Sequence, residues 1–268
     1  HQFKVELPIK VLFEHSDVPS LAEIVEAQRR LNVGIKNVSI VPVDRDKQLV
    51  LSYAQERLWF LDQLEPLNPI YNIPSAVRLT GELKVDLLKQ AINCIIDRHE
   101  ILKINFKTKK GKASIVKKVT EKFTITEANN SAKALDEAVD EAHRMALEFS
   151  LKAFDLSVDW LIRVHLIKLA KNDSVLLVNM HHSISDGWSV GIFIKEFSAL
   201  YSAYVQGQDI ELPELPVQYV DYSHWQRKWL KEVSLENQLN FWVKQLQSAE
   251  PFLKMPTDRP RPRIQTFR

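Results

Sequence analysis

The sequence predicts an α/β layered domain preceded by a short helical unit. Three features predict it. Strand-like segments, above all 160–169 and 174–180, are interleaved with helical segments at 84–99, 131–148 and 188–205. Hydrophobic residues make up 45% of the chain and charged residues 26%, the balance of a globular protein. A chain of 268 residues is long enough to bury a sizeable core.

Charge and cysteine usage narrow the function classes. A formal net charge of +2 argues for neither nucleic acid nor a membrane surface as partner. Lys107, Lys109, Lys110, Lys112, Lys117 and Lys118 cluster, and read as a solvated hairpin around a turn at Lys109-Lys110-Gly111. The single cysteine, Cys94, lies on an apolar helical pattern, so no internal disulfide is possible and a reducing, cytoplasmic setting is expected. There is no signal peptide and no apolar run long enough to span a bilayer. Neither end reads as a natural terminus.

Taken in order, residues 1–33 form a small helical unit. Ser20 and Glu23 predict a capping box, Leu21, Ile24, Val25 and Leu31 share a face, and Gly34 is placed to end the helix. Residues 34–48 read as a linker. Ser52 and Gln55 predict a second capping box, opening a helix through Leu58, Leu61 and Leu64 that Pro66 and Pro69 end. A strand is expected over 71–80, then an amphipathic helix over 84–99 with Leu87, Leu88, Ala91, Ile92, Ile95 and Ile96 inward. Two short strands flank the lysine turn, a third is expected at 122–126, and a helix at 131–148. The strands 160–169 and 174–180 form a hairpin through Lys171-Asn172-Asp173. A helix follows from about Trp188 to Val205, with Ile192, Phe193, Phe197, Leu200 and Tyr204 on its core side and Gly207 at its end. Further helices are expected near 218–231 and 234–247.

The chemistry-bearing segment is M-H-H-S-I-S-D-G-W-S, from Met180 to Ser189. Adjacent strand residues point to opposite faces, so His181 and His182 cannot both enter one pocket. Asp186 is placed to cap the next helix, and Gly187 lets a backbone or ligand approach closely. Three readings compete. The first is structural, two histidines ending a buried strand beside a capping aspartate, and for an arbitrary pair it leads. The second is a metal site, disfavoured by the divergence of the two side chains and by the want of further ligands at helpful spacing. The third is a catalytic histidine at a strand end, since imidazole is the usual neutral-pH acid or base.

Four segments, in order, resemble the motif set of nonribosomal peptide synthetase condensation domains. Leu51-Ser52-Tyr53-Ala54-Gln55-Glu56-Arg57-Leu58-Trp59 is similar to the opening motif and Arg98-His99-Glu100-Ile101-Leu102 to the second. Met180–Ser189 carries the HHxxxDG signature, and Tyr219-Val220-Asp221-Tyr222-Ser223-His224-Trp225-Gln226 resembles the fourth motif. Pro256–Pro262 resembles the stretch that follows it. Trp59-Phe60-Leu61-Asp62-Gln63-Leu64 and Tyr71-Asn72-Ile73-Pro74 resemble the subclass that joins two L-configured residues. Lys103 stands where the second motif usually ends in arginine, keeping the charge without the planar fork.

The resemblance implies a chloramphenicol-acetyltransferase-like N-terminal lobe over 49–231, a mixed sheet with packed helices. Residues 232–268 would lead into the rest of the domain. Residues 1–33 resemble the C-terminal part of a peptidyl carrier domain, after its phosphopantetheine-bearing serine. The implied reaction is amide-bond formation between donor and acceptor thioesters, with the phosphopantetheine arms delivered by partner carrier domains and a neighbouring adenylation domain loading them. His182 is implied as the central group, as base, positioning group or oxyanion donor. His181, Asp186, Gly187, Arg98 and Arg57 are implied as motif support, with Gly187, Trp188 and Ser189 along the substrate tunnel and no metal. Arg57 and Arg98 are each expected to anchor an ion pair, Arg98 with Asp186. Trp59 and Trp225 are expected to pack rather than to touch substrate. The family's later motifs are missing, so the piece alone is expected to be inactive. The alternatives are a carrier-docking module without turnover, or a related HHxxxDG acyltransferase or epimerization domain.

Overall fold

The computed structural model describes residues 7, 9–31, 39–109, 111–117, 123–231, 235–250 and 255–260. The chain divides into two compact units, His1–Ser39 and Ile40–Arg268.

In the first unit, helices α1 (Ile9–Glu14) and α2 (Val18–Leu31) are described. The helix start differs from expectation. Asp17, not Ser20, accepts the free hydrogens: the Ser20 amide donates to it at 2.9 Å and the Ser20 hydroxyl at 2.7 Å. A carboxylate three residues upstream accepts two donors and complements the helix dipole, so the turn closes earlier. Gly34 and the helix end expected there lie outside the described residues.

The second unit begins with a strap that packs on its own domain: Leu49 and Leu51 are buried, and Val43 lies against the main core. Helix α3 (Tyr53–Leu64) opens on the expected box, in which Ser52 accepts from the Gln55 amide and the Gln55 side chain accepts from the Ser52 amide. Strand β1 (Asn72–Thr80) and helix α4 (Val85–Arg98) follow. Leu88, Ala91, Ile92, Ile95 and Ile96 of α4 are at most 2% exposed, so cutting any of these isoleucines to alanine is expected to cost about 2–5 kcal/mol. Strands β2 (Ile104–Lys109) and β3 (Lys112–Lys117) make a separate antiparallel hairpin.

Two boundaries shift in the next stretch. Phe123 and Ile125 are buried in the core, but strand β4 covers Thr126–Asn129 rather than 122–126, and residues 121–122 lie outside the described set. Pairing starts at Thr126, which lies opposite His165, and its hydroxyl donates to the Val164 carbonyl. Helix α5 runs Leu135–Leu151 rather than 131–148. Asn129 takes both the amide and the hydroxyl of Ser131 into a turn, which holds off the helix until Asp136 and Glu137 supply an acidic first turn.

Strands β5 (Ile162–Ala170) and β6 (Asp173–His181) form the expected hairpin, with Asp173 already in the strand and paired to Arg78. The main sheet runs β1-β6-β5-β4, with β4 parallel to β5 and the other pairs antiparallel. Helices α4 and α6 (Gly187–Val205) pack against each other, and the sheet buries Val164, Leu166, Leu176, Val178 and Met180 in the same core as their inward residues. Helix α5 covers the opposite face over Ile167, Leu169 and Leu177. Two covered faces explain why β5 and β6 read as almost continuous apolar runs. Phe193 and Leu200 of α6 are buried and Phe197 and Tyr204 pack against the core, but Ile192, expected inside, is 40% exposed. Gly207 ends the helix with a φ of 69°, which glycine adopts without steric cost. Helices α7 (Tyr219–Trp229) and α8 (Leu235–Leu246) are the last described helices. No described helix is long and apolar enough to cross a membrane.

Candidate active site

The site grows from the end of β6. The His182 amide donates to the Tyr71 carbonyl at 2.8 Å, so β1 and β6 stay paired and side chains keep alternating to this point. Met180 and His182 therefore face the α4–α6 side, and Asn179 and His181 the other.

His181 is buried, 3% exposed, with its ring set edge-on to Tyr71 and Phe154. The Ser183 amide donates to its Nδ1 at 3.1 Å, and the Ser183 hydroxyl lies 2.8 Å from the same atom. Burial, and after it the neighbouring His182, pushes the His181 imidazole down to about 4. It is neutral at ordinary pH and holds the strand end.

His182 faces a cleft of about 460 Å³, lined among others by Arg57, His99, Ser185, Asp186, Ser189 and Tyr219. Its Nδ1 lies 2.8 Å from the Ser185 carbonyl oxygen. A carbonyl can only accept, so Nδ1 carries the hydrogen and Nε2 of the neutral ring is left with a lone pair. The loop that supplies that carbonyl is pinned from α3: Gln55, 2% exposed, donates from Nε2 to the Ser183 carbonyl at 3.1 Å.

Asp186 caps α6 as expected, accepting the Ser189 amide at 2.8 Å and the Ser189 hydroxyl at 2.6 Å. Those two bonds hold its carboxyl below the ordinary carboxylate value. Arg98 does not pair with Asp186. Its Nε donates to Glu196 of α6 at 3.2 Å, and its other nitrogen to the Pro213 carbonyl. Glu196 also lies 2.7 Å from His99, so one carboxylate receives two consecutive residues of the second motif at the end of α4. Arg57 likewise lacks the expected partner: among the described residues it makes no ion pair, and it lines the cleft instead. The charge that pairs with Glu56 comes from Arg227.

Of the tunnel candidates, Ser189 lines the cleft. Trp188 is 82% exposed and is not among the lining residues. Gly187 also stays off the lining, and a Cβ built on it meets nothing within 4 Å. Trp59 packs against the core and Trp225 stacks on Trp229, as expected. Among the described residues no group of His, Cys, Asp or Glu is placed to hold a metal.

Sequence reasoning left two residues of the fourth motif unassigned, one in the cleft and one behind it. Tyr219 reaches it from the first turn of α7, and its phenol lies 3.1 Å from the Ser52 hydroxyl. Asp221, 1% exposed, accepts from the amides of Val43 and Gln218 and from Arg45, tying the strap to α7. Their place in a motif was the one signal that could have found them.

Residues 45–268 match the family model described as Condensation domain. The chain belongs to the condensation-domain family. It is 42% identical to a linear gramicidin synthase of Brevibacillus parabrevis over 99% of its length, and 37% identical to malpinin synthetase of Mortierella alpina over 97%. It spans 5% and 3% of those proteins. Among solved structures, the X-domain from teicoplanin biosynthesis matches with a TM-score of 0.72 at 25% identity, over 84% of this chain and 49% of that one. The starter condensation domain of rhizomide synthetase RzmA matches at 0.68 and 19% identity, over 76% of this chain and 49% of that one. The mixed sheet with packed helices is thus the fold of one lobe of such domains.

Proposed function

We propose that this condensation-domain lobe supplies the donor-and-acceptor cleft for amide-bond formation between two acyl groups held as thioesters on carrier domains. The observation that carries this reading is the 2.8 Å contact between His182 Nδ1 and the Ser185 carbonyl oxygen. With Nδ1–H committed to the Ser185 carbonyl, Nε2 is a lone-pair acceptor in a 460 Å³ cleft. That atom can receive the N–H of an acceptor amine and hold its nitrogen toward a carbonyl carbon.

In the step, the amine nitrogen bonds to the donor carbonyl carbon, the carbon–sulfur bond breaks, and the sulfur leaves as thiol. The proton lost from nitrogen passes to Nε2 and on to sulfur, so nothing is oxidised or reduced. A free α-amine has a pKa of about 7.7–8.0, so part of it is already neutral near pH 7 and alignment matters as much as proton removal. Within the reading, His181 holds the strand end, Asp186 and Ser189 fix the start of α6, Gly187 leaves room for an arm, and the phosphopantetheine arms belong to partner carrier domains. Adenylation domains would load those arms in the cytoplasm. Residues 1–33 are read as the end of a carrier domain, an assignment supported by the gramicidin synthase match continuing ahead of residue 45. The likeness of Trp59–Leu64 and Tyr71–Pro74 supports the subclass that joins L-configured residues.

The chain spans 49% of the matched domains, so the described lobe alone is proposed not to shield the cleft from water and not to condense. The test is His182→Ala in the complete synthetase with loaded carriers. Dipeptide formation is expected to fall by about 10²–10⁴-fold. A wild-type rate would sink the assignment.

A further inference from the structure

We propose that Tyr219 is a second substrate-contacting group of the cleft, a phenol O–H that donates to the carbonyl oxygen of the acyl group under attack. The proposal rests on the reading of the cleft given above.

It follows from where the hydrogens around Ser52 must go. Ser52 is 0% exposed, so its hydroxyl hydrogen needs an acceptor inside the protein. Its oxygen already accepts from the Gln55 amide at 3.2 Å. Among the described residues the one partner that can take the Ser52 hydrogen is the Tyr219 phenol oxygen, 3.1 Å away. The bond therefore runs from serine to tyrosine. The phenol's own hydrogen is left over, and no acceptor among the described residues takes it.

Tyr219 is 37% exposed and lines the cleft that holds His182. Burial raises the phenol above its ordinary value, and the Tyr222 phenol and the Asp186 carboxylate raise it further against the Ser52 hydrogen bond, so the proton stays on oxygen at neutral pH. No hydrogen bond joins Tyr219 to Asp186, whose Oδ1 takes both Ser189 donors. The residue is also held in place before any ligand arrives. It opens α7 inside the Gln218–Asp221 capping box, and Asp221 is fixed in turn by Val43 and Arg45.

The cleft thus carries one fixed acceptor, His182 Nε2, and one fixed donor, Tyr219 O–H. A reacting amine offers a hydrogen and a thioester carbonyl offers an oxygen on which negative charge grows. A donor oriented in advance toward that oxygen stabilises the tetrahedral state more than the ground state.

The experiment compares Tyr219→Phe, Ser52→Ala, their double and His182→Ala in the complete synthetase, with both carriers loaded as thioesters. Tyr219→Phe is expected to lower kcat by about 10–100-fold with little change in KM for the acceptor, toward the low end of what a lost oxyanion donor costs. Ser52→Ala removes the cap of α3 and the donor to the phenol, and is expected to lower kcat less than Tyr219→Phe, because the phenol keeps its hydrogen. Equal losses in both singles with no further loss in the double would show that Tyr219 only satisfies Ser52, and would overturn the proposal. A Tyr219→Phe enzyme at the wild-type rate, beside an inactive His182→Ala, would also overturn it and leave the reading of the cleft intact. An active His182→Ala would sink that reading itself. If Tyr219→Phe does not fold, fluorotyrosine at 219 keeps the shape and makes the phenol more acidic. The kcat profile is then expected to fall at a lower pH than in the wild type, and an unmoved profile would count against the proposal.

Discussion

Asp221 and Val43 lie 178 positions apart, and the carboxylate of the first accepts the backbone amide of the second at 2.8 Å. The same carboxylate takes the Gln218 amide at 2.7 Å and Arg45 at 3.0 Å, and Arg45 reaches on to Glu100 at 2.9 Å. Two segments distant in sequence therefore meet on one buried charge, and Arg45 links it to a third at Glu100. Asp221→Ala leaves the Val43 and Gln218 amides without their carboxylate and Arg45 with Glu100 as its one remaining carboxylate. Its expected cost is about 3–5 kcal/mol, the range for breaking a buried pair, read from urea denaturation. Amide exchange should accelerate first over residues 40–48.

Acid should weaken the fold in two stages. Burial alone would raise the Asp221 carboxyl, but hydrogen bonds from Arg45, Gln218 and Val43 outweigh it and hold it at about 2. A carboxyl depressed in the folded state contributes stability above its unfolded value near 4 and loses it as pH falls toward about 2. His181 acts earlier. Its folded value of about 4 lies below the ordinary 6.5, so the unfolded chain takes up the proton first and stability drops between those two values. The drop is about 3 kcal/mol. Urea midpoints at pH 7, 5 and 4 should fall in wild type and stay flatter in His181→Asn.

Arg98 and Glu196 should couple where Arg98 and Asp186 do not. Both side chains of the observed pair are largely buried, 17% and 12% exposed, and 3.2 Å apart. A double-mutant cycle with Arg98→Met and Glu196→Gln is expected to return a coupling of about 0.5–3 kcal/mol. The same cycle with Asp186→Asn should return almost nothing.

Gln55→Leu removes the one donor that reaches the Ser183 carbonyl from α3 and also the acceptor of the Ser52 amide. Leaving such groups unsatisfied costs about 1–3 kcal/mol. Because the freed loop carries the Ser185 carbonyl that orients His182, turnover in the complete synthetase should fall more than the lost folded fraction explains. Gln55→Glu keeps the acceptor of the Ser52 amide but sets a buried carboxyl against the Ser183 carbonyl, and should recover no turnover.

Local chemistry was legible where one short segment decides the outcome. The Ser52–Gln55 box, the Asp186 cap, the β5–β6 hairpin and the divergence of His181 from His182 all follow from spacing of a few residues. What escaped depends on distance or on competition. Asp17 and Ser20 are both good cap residues, and the sequence does not rank them. The partner of Arg98 is 98 positions away on a helix face whose rotation only the packed core sets. Ile192 lies on the apolar stripe of α6, yet the stripe is wider than the surface α4 covers, and its edge lines the cleft. Tyr219 was recognisable as part of a motif but not as part of this cleft, because α7 comes to it through the strap that Asp221 ties down.

Position 187 carries an unusual kind of freedom. Its φ is not left-handed and a Cβ there would touch nothing within 4 Å, so neither the backbone nor the neighbours of this lobe ask for glycine. A library sorted only for well-folded protein should accumulate alanine and serine there without penalty. Any bias back toward glycine in a library sorted for product would then measure the footprint of a visitor that arrives, reacts and leaves.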